Sequence, residues 1–454
     1  MSAAAGLGRQ RAVVMGLGLF GGGAAAARFL ARGGADVLVT DTRDEDTLAP
    51  ALAELQGLAL ETRLGEHREQ DFTEADLVVV NPAVPPSSRF VRSAREAGAR
   101  ITSELELFLE ACPAPVALIS GTQGKSSCAN FLAQLLDGGG RRVWLGGNIG
   151  HSLLDDLPAM GSGDLVVAEI SSYQLEALPA QPLPAVRSAA LVNVLSDHLE
   201  RHGDAAGYAA AKARLLALVA AGGTLVLPAA LAAAEPFAGG LRACLITQLL
   251  AAGEGPAFVK DGKIHLEGRP LAPATDLKVL GSFQLDNLCV ALCLARAMGA
   301  TSGHLAGRIA GLRGLPHRLE DLGSRGGLRV VDNGVCTTPD SALSALTSLD
   351  GPCTLLVGGQ PKAGLPFDGL AAACAARGTR VLAFGAAGPA LQQVFAGAGA
   401  QVCDFPTLEE AVAAAYASAS PGETLLFAPA CASFDAYANF RARAEDFRAM
   451  LPSP

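Results

Sequence analysis

Gly121, Gly124, Lys125 and Ser126 lie in the run "SGTQGKSSCANF" (residues 120–131), and they are the parts of a phosphate-binding loop. Backbone N–H groups at a helix N-terminus donate to phosphate oxygens. A lysine adds charge against the outer phosphates, and a serine hydroxyl reaches a magnesium ion. The usual pattern begins with a further glycine, but Ile119 stands there. A bare G-x-x-G-K-S is a weak signal. Its surroundings strengthen it: "PVALIS" reads as a strand before the loop, and Cys128, Phe131, Leu132, Leu135 and Leu136 keep the i, i+3, i+4, i+7, i+8 spacing of a helix face after it. This context predicts a nucleoside triphosphate site that includes Thr122, Gln123 and Ser127.

A second glycine pattern lies near the N-terminus. Gly16, Gly18 and Gly21 form G-x-G-x-x-G directly after the apolar run 12–15, and Asp41 closes the next run, "DVLVT". Such a turn lets a diphosphate approach the backbone at a helix N-terminus, while the acidic residue holds a ribose or a base. A purely structural strand–helix–strand turn is the plainer reading. Glu169 ends the apolar run "DLVVAE", and His198 follows "AALVNVLSD". Alone, an acidic residue at a strand end is a solvated charge; beside a phosphate loop it becomes a magnesium ligand. His198 and His202 are spaced as two zinc ligands on one helix, but no third ligand accompanies them, so His202 is expected at the surface.

These groups need a scaffold, and the pattern supplies three. Residues 1–103 alternate strand, glycine turn, helix and strand. Residues 104–314 contain the phosphate loop. From 315 to 454 the short apolar runs "GLRVVDN", "CTLLVGG", "TRVLAFG", "AQVCDF" and "ETLLFAPA" alternate with helical stretches and call for another parallel, doubly wound sheet. The fold class is therefore α/β in three domains: Rossmann-like, central P-loop-type mononucleotide-binding, and C-terminal Rossmann-like. Half the residues are hydrophobic and 17% are charged, which suits packed layers. A net charge of −9 argues against nucleic acid as a partner. The ten cysteines form no C-x-x-C pair and read as buried core thiols of a reduced, intracellular protein. No apolar run is long enough to span a bilayer, and no secretory signal is evident, so the expected location is the cytoplasm without a membrane partner.

In order, the chain shows "GTQGKS", "GGNIG" (146–150), "AEISSYQLE" (168–176), "NVLSDHLERHG" (193–203), "YAAAKARLL" (208–216), "LPHRLE" (315–320) and "APACASFDAYANFRARAEDF" (428–447). This ordered set resembles the Mur ligases over essentially the whole chain. The resemblance implies a monomeric, ATP- and Mg²⁺-dependent ligase of peptidoglycan precursor synthesis. It would add glutamate, D-glutamate by preference, to UDP-N-acetylmuramoyl-L-alanine through an acyl phosphate. A free carboxylate does not react with an amine at neutral pH, and phosphorylating it creates a leaving group; the crowded negative oxygens then need cations.

By the same resemblance Lys125, Glu169, His198 and Lys212 carry the chemistry. Ser126, Glu169, His198 and Lys212, the last as a carbamate, hold the metal, with Asn193 close by. Lys212 would otherwise be one more surface lysine. Carbamylation needs the neutral amine, only about 0.04% of a lysine with the ordinary pKa near 10.4 at pH 7. Asn287 matches an adenine contact, and Arg318 and Asp332 match contacts to phosphates and ribose. Gly18, Leu19, Phe20, Asp41, Thr42, Arg43 and Asn148 match the UDP-substrate site. Lys362, Ser433, Phe440 and Thr337 match the glutamate site.

Three positions depart from the family pattern. Gln123 replaces an asparagine of the loop, and Phe283-Gln284 replaces His-Asn near the adenine contact. Gly334 stands where a lysine would face the glutamate carboxylate, in "DNGVCTTP", a stretch that also fits a group thought to use L-glutamate. Other readings stay open: a folylpolyglutamate-type or other Mur ligase, an NAD-dependent dehydrogenase built on the first glycine turn, or a non-catalytic nucleotide-binding regulator. Tight NADH binding would mark the dehydrogenase, and absence of ATP consumption with all substrates present would mark the regulator.

Overall fold

A computed structural model of the chain describes residues 8–149, 151–195, 197–243, 248–252, 255–361 and 364–453. The chain divides into two compact units, Met1–Asp276 with Asp286–Gly311, and Leu277–Leu285 with Leu312–Pro454.

The first unit holds two parallel sheets. In the first, strand Arg11–Met15 is flanked by Asp36–Asp41 and Leu77–Val80, with Glu61–Leu64 and Arg100–Thr102 at the edges. The chain reverses its direction of winding at Arg11–Met15, which opens a crevice at the C-terminal strand ends where ligands of such sheets bind. The glycine turn leaves from that end. Gly16, Gly18 and Gly21 have φ of 89°, 66° and 82°, and a Cβ at Gly16 would stand 2.8 Å from Asn81 Cβ. Helix Gly22–Arg32 then packs on the sheet through Ala24, Ala25, Ala26, Ala27 and Leu30. Its small side chains allow close helix–sheet approach.

The second sheet has six parallel strands in the spatial order Gln248–Ala252, Thr224–Pro228, Val186–Leu191, Val116–Ser120, Leu165–Glu169, Val143–Gly147. Every residue of Val116–Ser120 is buried, as a central strand covered on both faces requires. A three-stranded antiparallel sheet, Ala257–Lys260, Lys263–Leu266 and Arg269–Pro273, follows. It is not anticipated above, although its turns are plain: Asp261-Gly262 and Glu267-Gly268 have positive φ at both positions, the two-residue hairpin geometry.

The second unit holds a six-stranded sheet in the order Glu320–Arg325, Leu328–Asp332, Thr424–Ala430, Cys353–Gly358, Arg380–Phe384, Val402–Phe405. It departs from the expected all-parallel sheet at one edge. Glu320–Arg325 runs antiparallel to Leu328–Asp332 because Gly326 and Gly327, both at positive φ, make a tight hairpin between them. Apolar clusters cover both faces, one around Leu355 and Leu426 and the other around Phe427 and Phe447. The expectation of buried cysteines fails at Cys403, which is exposed on the edge strand, and is met only partly at Cys112, which is half-buried; Cys244 lies outside the described residues. Among the described residues no helix is long and apolar enough to cross a membrane.

Candidate active site

The loop after Val116–Ser120 is shaped from both sides by asparagines. Asn193 Oδ1 accepts from the N–H groups of Thr122 (3.1 Å) and Gln123 (2.9 Å), and Asn193 Nδ2 donates to Gln123 O at 3.1 Å. On the other side a Cβ at Gly124 would stand 2.3 Å from Asn287 Oδ1, so only glycine fits, at φ 79°. The Thr122 hydroxyl donates to Leu195 O at 3.2 Å and lies 3.1 Å from the Tyr208 hydroxyl. Lys125 Nζ donates to Thr122 O at 2.8 Å, and helix Lys125–Leu136 begins there with Ser126 and Ser127 buried. Asn193 thus fixes the loop from beyond the end of the neighbouring strand.

Glu169 is buried at the end of Leu165–Glu169. Its Oε1 accepts from Asn148 Nδ2 at 2.9 Å, while Oε2 is buried without any partner. A buried carboxylate oxygen left bare is costly unless a cation meets it. Gly147 allows this pairing, since a Cβ there would stand 2.3 Å from Glu169 O. Lys212 is buried on helix Ala205–Leu218, and its Nζ donates to Gly121 O at 2.8 Å and to Ser120 Oγ at 3.1 Å. Burial, and then the charge of Lys125, pull its pKa down to about 7, against the opposing pull of Asp197 and Glu169. At neutral pH about half of such amines are uncharged.

His198 has φ 50° and an exposed side chain, with Nδ1 3.5 Å from both the Tyr173 hydroxyl and Glu200 Oε1. His202 is not at the surface as expected. Its side chain is 1% exposed, with Nδ1 2.9 Å from Glu176 Oε1 and Nε2 3.1 Å from Ser172 Oγ, because helix Leu199–His202 turns it inward against helix Ser172–Ala177. Among the described residues no three His, Cys, Asp or Glu side chains group to hold a metal by themselves.

At the first sheet, Asp41 Oδ2 accepts from Gly18 N at 3.2 Å and Oδ1 accepts from Arg43 N at 3.0 Å. Leu19 and Phe20 project into solvent beside them, Phe20 at 98% exposure, and Thr42 is exposed as well. In the second unit, Asp332 is wholly buried and accepts from Arg448 Nε (2.7 Å), His317 Nδ1 (2.8 Å) and Gly334 N (2.8 Å). Arg318 lies between His317 and Leu319, both at positive φ. Ser433 is buried, Thr337 is half-buried and Phe440 is exposed; Lys362 lies outside the described residues.

Family models match along the chain: the Mur ligase MurD-like N-terminal domain over 10–103, the Mur ligase middle domain over 119–295, and the Mur ligase glutamate ligase domain over 317–431. A UDP-N-acetylmuramoylalanine–D-glutamate ligase of Roseiflexus sp. is 37% identical over 98% of both chains. The chain belongs to the Mur ligase family. A similarly named Geobacter metallireducens protein is 34% identical over 96% of both chains. Among solved structures, the UDP-N-acetylmuramate–alanine ligase of Thermotoga maritima shares the fold at 17% identity, with a TM-score of 0.60 over 97% of this chain and 99% of that one.

In this Mur ligase, then, two groups of the expected residues come together within the first unit. Gly121 to Ser127, Asn287 and Lys212 surround the loop, and Gly18, Asp41 and Arg43 surround the first glycine turn. Asn148, expected at the muramoyl part of the UDP substrate, donates to Glu169 beside the loop. Sequence reasoning missed the clamp made by Asn193, the hydroxyls of Ser120 and Tyr208, and a buried arginine at 443. Only Asn193 carried a signal, as a polar residue directly after an apolar strand.

Proposed function

We propose that this Mur ligase joins D-glutamate to UDP-N-acetylmuramoyl-L-alanine at the expense of ATP, in peptidoglycan precursor synthesis. The names of its full-length relatives support the substrates, and the observation that carries the chemistry is Lys212. A buried lysine with a pKa near 7 keeps the free electron pair that attack on CO₂ requires. The neutral amine would bond through Nζ to the CO₂ carbon and lose one proton, giving an anionic carbamate; starting from the ammonium, two protons leave in all.

The donor set fits magnesium: Glu169 Oε2 is buried and bare, and Ser126, His198 and the Lys212 carbamate would complete the ligands. When bound, the metal neutralises the oxygens of the phosphates and of the carboxylate being phosphorylated. The loop's N–H groups and Lys125 would hold the β- and γ-phosphates of ATP in line with that carboxylate. Asn193 keeps the loop in the conformation that aims those donors, and Asn287 borders it on the adenine side. Glutamate nitrogen would then attack the acyl phosphate, releasing phosphate as the amide bond forms.

In this reading residues 1–103 hold the UDP moiety through Gly18, Leu19, Phe20, Asp41, Thr42 and Arg43. Residues 104–314 carry ATP, the metal and Asn148, which meets the muramoyl part. Residues 315–454 carry Arg318 and Asp332 for the nucleotide, and Lys362, Ser433, Phe440 and Thr337 for glutamate. The enzyme would work in the cytoplasm as a monomer. One observation favours L-glutamate as a second reading: position 334 has no room for a cationic side chain. Phosphate release by the purified protein, screened across UDP-muramoyl precursors and amino acids, tests the assignment. Release only with UDP-N-acetylmuramoyl-L-alanine and glutamate together is expected, and release with another pair would refute it.

A further inference from the structure

Among the described residues Arg443, on helix Phe440–Ala449, is the largest side chain with no exposed surface. Among the described residues its guanidinium binds only main-chain carbonyls. Nη1 donates to Ala432 O at 3.0 Å and Gly358 O at 3.3 Å, Nη2 donates to Cys431 O at 3.1 Å, and Nε has no acceptor. Among the described residues no carboxylate oxygen comes within 4.0 Å of it. Asp435 acts on it only at longer range, its own carboxylate accepting from Ala386 N at 3.2 Å.

A buried guanidinium with no carboxylate in contact is expensive to keep. The surrounding backbone is built to accept it. A Cβ at Gly359 would stand 2.7 Å from Arg443 Nη1 and 2.3 Å from Ala432 O, so glycine makes room for the side chain. Gln360 and Ala432 exchange both main-chain hydrogen bonds, at 2.9 and 3.0 Å. Arg443 thus ties the segment leaving Cys353–Gly358 to the one leaving Thr424–Ala430, just before Ser433. Enclosed charge is little screened by salt or water, so an anion arriving beside Ser433 would feel it.

We propose that Arg443 is the positioning residue of the amino-acid site, its unpaired buried charge fixing the segments 358–361 and 431–433 and drawing a dicarboxylic amino acid to them. This rests on the reading of residues 315–454 as the glutamate-binding part. The test compares wild type with R443M and R443K in the ligation assay, varying glutamate, ATP and UDP-N-acetylmuramoyl-L-alanine in turn. The expected result is a glutamate KM raised about tenfold or more in R443M, which removes the charge and its three bonds to the carbonyls of Gly358, Cys431 and Ala432. R443K should fall between, with the other two KM values held within about twofold.

A uniform fall in kcat with unchanged glutamate KM, or equal effects of both substitutions, would overturn the proposal. Should R443M fail to fold, R443K alone decides through the same selective rise in glutamate KM. A wild-type protein that releases no phosphate with any amino acid would refute the ligase reading. An active wild type with an unaltered glutamate KM in R443K refutes this inference alone.

Discussion

Gly334 lies against Ala444: a Cβ added to Gly334 would stand 2.5 Å from Ala444 Cβ and 3.1 Å from a ring carbon of Phe427. Real side chains do not approach so closely, so helix Phe440–Ala449 covers this stretch of backbone. Gly334→Ala is expected to destabilise the protein by about 1–3 kcal/mol, the usual cost of overpacking. The double substitution Gly334→Ala with Ala444→Gly should recover most of that loss. Thermal or denaturant unfolding of the three variants checks this, and additive losses in the double variant would contradict the packing argument.

Lys212 supports a chemical test. Lys212→Ala removes the proposed metal ligand and should abolish turnover, while short carboxylic acids such as acetate restore part of it by occupying the vacated place. Losing a group that stabilises charge in the transition state commonly costs at least about 10²-fold. Phosphate release measured with and without added acid reports the outcome. Undiminished activity in Lys212→Ala would count decisively against the carbamate.

Much of this site was legible in the residues. Strand, loop and helix around residues 116–136 followed from apolar spacing, because a central strand and the helix after it bury regular faces. Asn193 stood out as a polar residue after an apolar strand, but its partner in the loop was not legible, since the two lie 70 residues apart and their meeting depends on strand order. His202 was misjudged for the same reason: its spacing describes one helix, and its burial comes from a second, Ser172–Ala177. The antiparallel sheet at 257–273 was missed despite its Asp-Gly turn, because its strands are short and weakly patterned.

Glu104 sets a pH dependence of stability. Burial lifts its pKa to about 7, helped by Asp155 and opposed by the hydrogen bond from Ser152. The folded state thus holds a proton that the unfolded state has lost between about pH 4.5 and 7. Its contribution is complete below that window and disappears as pH rises through it. The residue keeps some exposed surface, which moderates the effect to roughly 2 kcal/mol. Glu104→Gln should flatten the stability profile across the window; an unchanged slope would show that another group is responsible.

The choice of glutamate enantiomer depends on where the cations stand. A dicarboxylate needs a cation or hydroxyl at each end, since a buried charge left unpaired costs several kcal/mol. Position 334 cannot supply one because Ala444 fills the space where its side chain would go. The remaining donors proposed for the site are Ser433, Thr337 and Lys362, with the proposed contribution of the Arg443 charge. Handedness exchanges hydrogen and carboxylate about one carbon, so moving one cation can reverse the preference. The curated relatives at 37% and 34% identity are D-glutamate ligases by name, and their likeness runs the length of the chain. D-glutamate is therefore expected to show the larger kcat/KM when both enantiomers compete in one assay with ATP and UDP-N-acetylmuramoyl-L-alanine. A larger kcat/KM for L-glutamate would reverse the enantiomer and leave the ligase chemistry intact.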